Sequence, residues 1–81
     1  MKKLRNSMFR LKTIDGFEIE IWMYNNFNCD CHVFVANNPG EFVNSANSST
    51  YHLHGRDAFD CLMSDGKMMT REDIVRMFFI G

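Results

Sequence analysis

The sequence predicts an α+β fold, a small antiparallel sheet of three to four strands with helices on one face. Three observations predict it. Alternating runs flank Asp15-Gly16, a run rich in β-branched residues spans 31–36, and a capped amphipathic segment spans 71–79. At 81 residues with 46% hydrophobic content, the chain is predicted to be one globular domain over residues 1–81.

The N-terminal hairpin, predicted over residues 8–24, constrains its own register. A two-residue turn at Asp15-Gly16 would set apolar side chains opposite acidic ones on the same face. A three-residue loop over 14–16 removes that conflict. It also places Gly16 in the left-handed position that a type I turn followed by a bulge requires. The sequence therefore predicts the three-residue loop.

In this register the two faces of the hairpin differ in character. On one face Arg10 lies opposite Glu20 and Lys12 opposite Glu18, as cross-strand ion pairs each worth about 0.2–1 kcal/mol. The opposite face is apolar and is expected to be buried. Its side chains are Phe9, Leu11, Phe17, Ile19, Ile21 and Met23.

The middle of the chain alternates turn signals with short strands. Residues 25–28 predict a turn, and residues 31–36 predict a third strand that is apolar on both sides and hence central or well covered. Turn residues at 37–40 end this strand. Residues 44–50 are small and polar and predict a surface loop, followed by a short strand over 51–54.

Two segments of the C-terminal third favour helices. Four apolar residues of segment 56–63 fall on one helical stripe, and the alternative is a second hairpin that turns at Asp65-Gly66. The final helix, predicted over 71–79, has Thr70 as its N-cap and an acidic residue three positions later. Its buried stripe is predicted to comprise Ile74, Val75, Met77 and Phe78.

Charge and cysteine content bear on partners and compartment. Residues 1–12 hold five basic and no acidic residues, whereas the rest hold four basic and ten acidic ones. Two of the five basic residues are expected to pair within the hairpin, which disfavours nucleic acid as a partner. Three cysteines do not suit a disulfide framework, and the basic N-terminus lacks the apolar centre of a signal peptide. We therefore predict a cytoplasmic protein that does not enter the membrane.

The best candidate metal site combines Cys29 and Cys31 with His52 and His54. Residues two apart on a strand point the same way, so two such pairs on neighbouring strands would supply two thiolates and two imidazoles for zinc. The spacing is not that of zinc fingers or ribbons. The simpler interpretation is semi-buried cysteines and strand-end histidines. We therefore predict no cofactor, with zinc as the alternative.

The best candidate contact surface is the charged face of the hairpin. Beyond the ion pairs this face continues to Met8, Trp22 and Tyr24, and Phe27 follows in the next turn. Trp, Tyr, Met and Arg are enriched at protein interfaces, so these four residues and Arg10 are predicted to bind a protein partner. The alternative is that the polar loop or a helix covers this end of the sheet.

These features predict a small non-enzymatic protein-binding module. A nucleophilic cysteine, Cys31 or Cys61 beside a histidine, is disfavoured because no nucleophile motif surrounds either residue. The small size of the chain and the absence of catalytic and cofactor motifs suggest a phage or mobile-element accessory protein that inhibits or regulates a host or defence protein. The second functional class is a metal-binding or thiol-dependent protein. Homodimerisation through a sheet edge or through the face that carries Trp22 is a further hypothesis.

Overall fold

The computed structural model describes residues 7–24 and 27–80. Four antiparallel strands form one sheet in the order β1-β2-β3-β4. They are β1 (Ser7–Lys12), β2 (Glu18–Met23), β3 (Cys31–Ala36) and β4 (Ser48–Leu53). Helices α1 (Arg56–Asp65) and α2 (Arg71–Ile74) follow, with a 3₁₀ turn (Gly66–Met68) between them and a π-helical turn (Val75–Phe79) after α2. The α+β prediction is confirmed.

The hairpin of β1 and β2 has the predicted three-residue loop. Arg10 is the cross-strand partner of Glu20, as the register argument requires. The amide of Thr13 donates to the carbonyl of Phe17 at 2.9 Å and closes the loop. Gly16 adopts φ 91°, the left-handed conformation that glycine accepts without strain. The predicted register is confirmed. Of the turn predicted over 25–28, residues 25–26 lie outside the described residues, and 27–28 form a turn.

The third strand is central, as its apolar run predicts. β3 pairs with β2 on one side and with β4 on the other. Cys31, Val33 and Val35 point to one face and are essentially inaccessible to solvent. His32 and Phe34 point to the other face and are half-buried. A strand in this position has a covered side chain at almost every residue, which explains why it reads as apolar on both sides.

The fourth strand begins three residues earlier than the sequence predicts and ends one residue earlier. Residues 48–50, expected in a surface loop, pair with β3 through Ser48–Ala36 and Ser49–Val35. Polar residues of this kind carry little local strand signal, and the backbone hydrogen bonds of a neighbouring strand decide their conformation. The loop prediction is wrong at these three residues.

The helices bury one face of the sheet. Phe59 and Leu62 of α1 and Ile74 of α2 are buried against Ile19, Ile21, Val33, Val35 and Leu53 of the strands. The rings of Phe9 and Phe59 lie 5.1 Å apart between their centres. Segment 56–63 is therefore helical, and the alternative hairpin at residues 65–66 is not formed. No helix of the described part of the chain is long and apolar enough to cross a membrane.

The C-terminal helix begins at the predicted cap. The hydroxyl of Thr70 accepts a hydrogen bond from the amide of Asp73 at 3.1 Å, which satisfies one of the free N–H groups of the first turn. Beyond Ile74 the helix widens, since the amide of Ile80 donates to the carbonyl of Val75, five residues back, at 2.9 Å.

The wider turn changes which side chains are buried. Val75 is buried, but Met77 is 66% exposed, so its predicted place in the buried stripe is wrong. Phe79 packs inward instead, and its ring stacks on that of Tyr51 from β4 with 4.6 Å between the ring centres. A turn with more residues than an α-helical turn rotates the later side chains around the axis, which local periodicity does not reveal.

The hairpin loop is tied to the start of α2. A carboxylate oxygen of Asp15 accepts hydrogen bonds from the Thr13 hydroxyl at 2.6 Å and from the Arg71 amide at 3.1 Å. The Ile14 amide donates to the carbonyl of Met69 at 3.0 Å. The Thr13 hydroxyl is the main cause of a lowered pKa at Asp15. These contacts fix the helix at one end of the sheet and leave the opposite face uncovered by it.

Candidate functional site

The sheet face opposite the helices carries two rows of side chains from all four strands. We call it the open face and define it by these rows. Cross-strand pairing places Met8, Trp22, His32 and His52 side by side in the first row. The second row comprises Arg10, Glu20, Phe34 and Thr50.

Charges on the open face are paired with one another. Glu20 accepts from Arg10 Nε at 3.2 Å with one carboxylate oxygen and from Trp22 Nε1 at 3.0 Å with the other. Glu18 lies 3.8 Å from the same Arg10 nitrogen. Among the described residues no ion pair joins Lys12 to Glu18, so this predicted pair is wrong although the two residues are cross-strand partners. Arg10 therefore lies within ion-pair distance of both glutamates, and Glu20 holds the indole of Trp22 in place with its second carboxylate oxygen.

A groove of about 410 Å³ lies beside Trp22 on the open face. Its apolar walls come from Trp22, Phe34 and Val43. Its polar lining comes from Glu20, Asn44, Ser45, Ser48 and Thr50. The groove therefore forms where the loop between β3 and β4 rises beside the sheet.

Asparagines hold this loop in shape. Asn44 accepts hydrogen bonds from the amides of Ala46 and Asn47 at 2.8 and 3.1 Å. The side-chain amide of Asn47 donates to the carbonyl of Phe42 and to the carboxylate of Glu41, both at 2.9 Å. Such side-chain bonds to the backbone stabilise tight turns. The loop thus forms one side of the groove and leaves its mouth open.

Four of the five predicted contact residues lie together. Met8, Arg10 and Trp22 occupy adjacent positions in the two rows, and Tyr24 continues β2 at the edge of the first row. Phe27 is fully exposed in the turn after β2. Sequence reasoning missed Phe34 as a neighbour of Trp22 in the groove, whereas it named the polar loop, as the alternative cover for this end of the sheet. The only signal for Phe34 was the pairing register of β2 with β3.

The four predicted zinc ligands are not brought together. Cys31 faces the core, where burial raises the pKa of its thiol to about 11. His52 lies on the open face, on the other side of the sheet. Cys29 sits in the loop before β3 with φ 56°, and the His54 Nδ1 lies 3.0 Å from a carboxylate oxygen of Asp30. In the described ranges no three metal-ligating side chains are grouped to hold an ion.

The remaining thiol does not support a nucleophile either. Cys61 donates a hydrogen bond to the carboxylate of Asp65 at 3.4 Å, and this bond raises the pKa of the thiol. A raised pKa reduces the thiolate fraction, and the thiolate is the nucleophilic form of cysteine.

Comparison with protein-family models, with curated proteins and with solved structures found no match to this chain. The open face and its groove are therefore interpreted from their own geometry.

Proposed function

We propose that this chain is a non-enzymatic protein-binding module whose groove receives an apolar or aromatic side chain of a partner protein. The observation that carries the proposal is the groove itself, which Trp22, Phe34 and Val43 line on a face that the described helices do not cover. Its volume of about 410 Å³ lies within the usual range of ligand pockets. Trp22 lies beside this groove with its indole hydrogen-bonded to Glu20, and a tryptophan fixed in this way is typical of the residues that anchor protein interfaces.

The polar groups around the groove indicate how the partner is bound. Side chains of Asn44, Ser45 and Thr50 can exchange hydrogen bonds with a backbone that crosses the mouth of the groove. The neighbouring charges of Arg10 and Glu20 are already paired with each other. A neutral peptide segment fits this arrangement better than nucleic acid, which is bound through unpaired basic side chains.

Compartment and biological role are part of the same proposal. The three cysteines are free thiols, which suits the reducing cytoplasm. A small module with a groove on its open face is suited to inhibiting or regulating a larger protein by occupying its surface. We predict a host or defence protein as the target and a phage or mobile element as the origin. Both predictions rest on the small size of the chain and its lack of catalytic motifs in the sequence.

A random-peptide display selection against the immobilised chain tests the groove. We expect the selected peptides to share an aromatic or branched aliphatic anchor and to shift the NMR signals of Trp22 and Phe34. Trp22→Ala should lower the affinity for the selected peptides about 30-fold, the effect of losing an interface anchor worth about 2 kcal/mol. Ser45→Arg places a large side chain at the mouth of the groove from the loop. It should lower the affinity for the selected peptides without any change to the sheet.

Met77→Ser is the matched control, because Met77 is an equally apolar but exposed side chain on the helical side of the molecule. It should bind the selected peptides as the wild type does. Peptides that lose affinity in Met77→Ser, or that bind Trp22→Ala and Ser45→Arg undiminished, would overturn the proposal. Circular dichroism of each variant separates lost binding from lost folding.

A further inference from the structure

A second feature of the open face is independent of the groove. Three histidines lie next to one another across β3 and the end of β4. His32 and His52 are direct cross-strand partners, with ring centres 4.4 Å apart and ring planes inclined by 47°. The ring centres of His52 and His54 lie 6.3 Å apart. The sequence alone grouped His52 with His54, whereas the strand register groups it with His32.

We propose that His32 and His52 together bind one divalent ion of a late first-row transition metal through their imidazole Nε2 atoms. With metal–nitrogen bonds of about 2.0–2.1 Å, two imidazoles on adjacent positions of one metal have ring centres roughly 4.5–5 Å apart. The observed separation of 4.4 Å comes close to this arrangement, so the two rings can share one ion without the strands moving apart. Water completes the coordination shell.

Hydrogen bonding prepares one of the two rings for this role. In the tautomer that can bind a metal, the Nδ1–H of His32 donates to the hydroxyl oxygen of Tyr24 and Nε2 carries the lone pair. Metal-ligating histidines typically have their second ring nitrogen held in this way, which fixes the ring orientation. His52 is exposed, so an ion can reach the pair from solvent.

The neighbouring groups define the metal class. Cys31 points to the opposite side of the sheet, so the pair offers nitrogen ligands only. Imidazole suits copper, nickel and zinc, and the general order of affinity favours Cu²⁺ over Ni²⁺ and Zn²⁺. His54 has its Nδ1 within 3.0 Å of an Asp30 carboxylate oxygen and lies farther from His52 than His32 does. It is therefore assigned no ligand role.

Ni²⁺ is the probe of choice, because Cu²⁺ oxidises free thiols. In the wild-type chain, paramagnetic Ni²⁺ should broaden the ring signals of His32 and His52 before those of His54. By calorimetry, His32→Gln and His52→Gln should each lower the Ni²⁺ affinity at least tenfold. Tyr24→Phe should lower it about tenfold, as loss of an outer hydrogen bond does. His54→Gln is the matched control and should bind as the wild type does.

Co²⁺ distinguishes this site from the cysteine and histidine site that the sequence predicts. An imidazole pair should give weak d–d bands alone, whereas coordination by Cys29 would add an intense thiolate-to-cobalt charge-transfer band. That band, broadening that begins at His54, or unchanged affinity in His32→Gln would each overturn the proposal. The NMR measurement uses the wild-type chain, so the test does not depend on the folding of any variant.

Discussion

The carboxylate of Asp15 joins the first hairpin to the last helix. It accepts hydrogen bonds from the Thr13 hydroxyl and from the first backbone amide of α2, although 56 residues separate it from that helix. It therefore adds a second acceptor to the cap that Thr70 provides. A carboxylate at the positive end of a helix is also favoured by the helix dipole.

Replacement of Asp15 by Asn should destabilise the chain by about 0.3–1 kcal/mol at neutral pH, because the amide oxygen can still accept hydrogen bonds but lacks the charge that the helix dipole favours. The pKa of Asp15 is lowered from 3.8 in the folded chain, chiefly by the Thr13 hydroxyl. Its stabilisation is therefore complete above pH 3.8 and is lost as the pH falls through the folded-state pKa. Urea unfolding of wild type and variant at neutral and acidic pH measures both effects.

Glu72→Gln is the control for Asp15→Asn, because it removes a charge from the first turn of α2 without touching the hairpin loop. It should cost less than Asp15→Asn. A difference between Asp15→Asn and wild type that stays constant down to strong acid would contradict the role assigned to the carboxylate.

The docking of α2 on the sheet depends on one guanidinium group. Arg71 Nε donates to the carbonyl of Ala36 at 2.8 Å, and its Nη2 donates to the side chain of Asn37 at 2.9 Å. The same group lies over the ring of Phe17, 5.7 Å from its centre. It therefore connects the start of α2 with the end of β3 and the start of β2. These contacts need the planar fork of arginine.

Arg71→Lys should destabilise the chain by about 1–2 kcal/mol, because an ammonium group reproduces at most one of the two directed hydrogen bonds. Arg76→Lys is the matched control on the following turn, where an exposed arginine pairs with Glu72 at 3.4 Å. Exposed pairs of this kind contribute little, so the control should stay within about 0.5 kcal/mol of wild type. Equal losses in the two variants, measured by urea unfolding, would show that Arg71 contributes no more than a surface charge.

Local signals predicted the elements whose structure is decided locally. Alternation and turn chemistry predicted the first hairpin with its register, and capping chemistry predicted the start of the last helix at Thr70. Ser48 and Ser49 were misassigned because pairing with β3 makes them strand. Met77 was misassigned because a π-helical turn rotates it outward. In each case the conformation depends on an interaction that hydrophobic periodicity does not show. For the serines it is pairing with β3, and for Met77 it is the five-residue hydrogen bond of the π-helical turn.

The candidate site, likewise, has a part that the sequence could predict and a part that it could not. Trp22 and its neighbours on the hairpin follow from the register of two adjacent strands, so the sequence could group them. The groove also needs Val43 from a loop, and the histidine pair needs the register of β3 with β4. These placements depend on contacts between distant parts of the chain. Composition and spacing therefore indicated a contact surface but not its shape.

The molecule as a whole presents a sheet with two unlike edges. The β1 edge carries Arg10 and Lys12, and charged residues on an edge discourage pairing with another chain. The β4 edge spans Ser48–Leu53, SSTYHL, and contains no lysine, arginine, aspartate or glutamate. Of the two edges, β4 is therefore the less protected against strand addition.

We expect a concentration-dependent homodimer in which β4 strands of two copies pair antiparallel about a twofold axis. Thr50→Lys should weaken this dimer, because it places a like charge on both copies of an exposed position in β4. Sedimentation equilibrium over a range of concentrations measures the change. Trp22→Ala is the control, since Trp22 lies on the inner strand β2 and its loss leaves the edge intact. Because Thr50 also lies on the open face, a dimer that Trp22→Ala weakens as well would contradict edge pairing, as would a chain that stays monomeric at all concentrations. A dimer sensitive to Trp22→Ala would instead assign the contact to the open face.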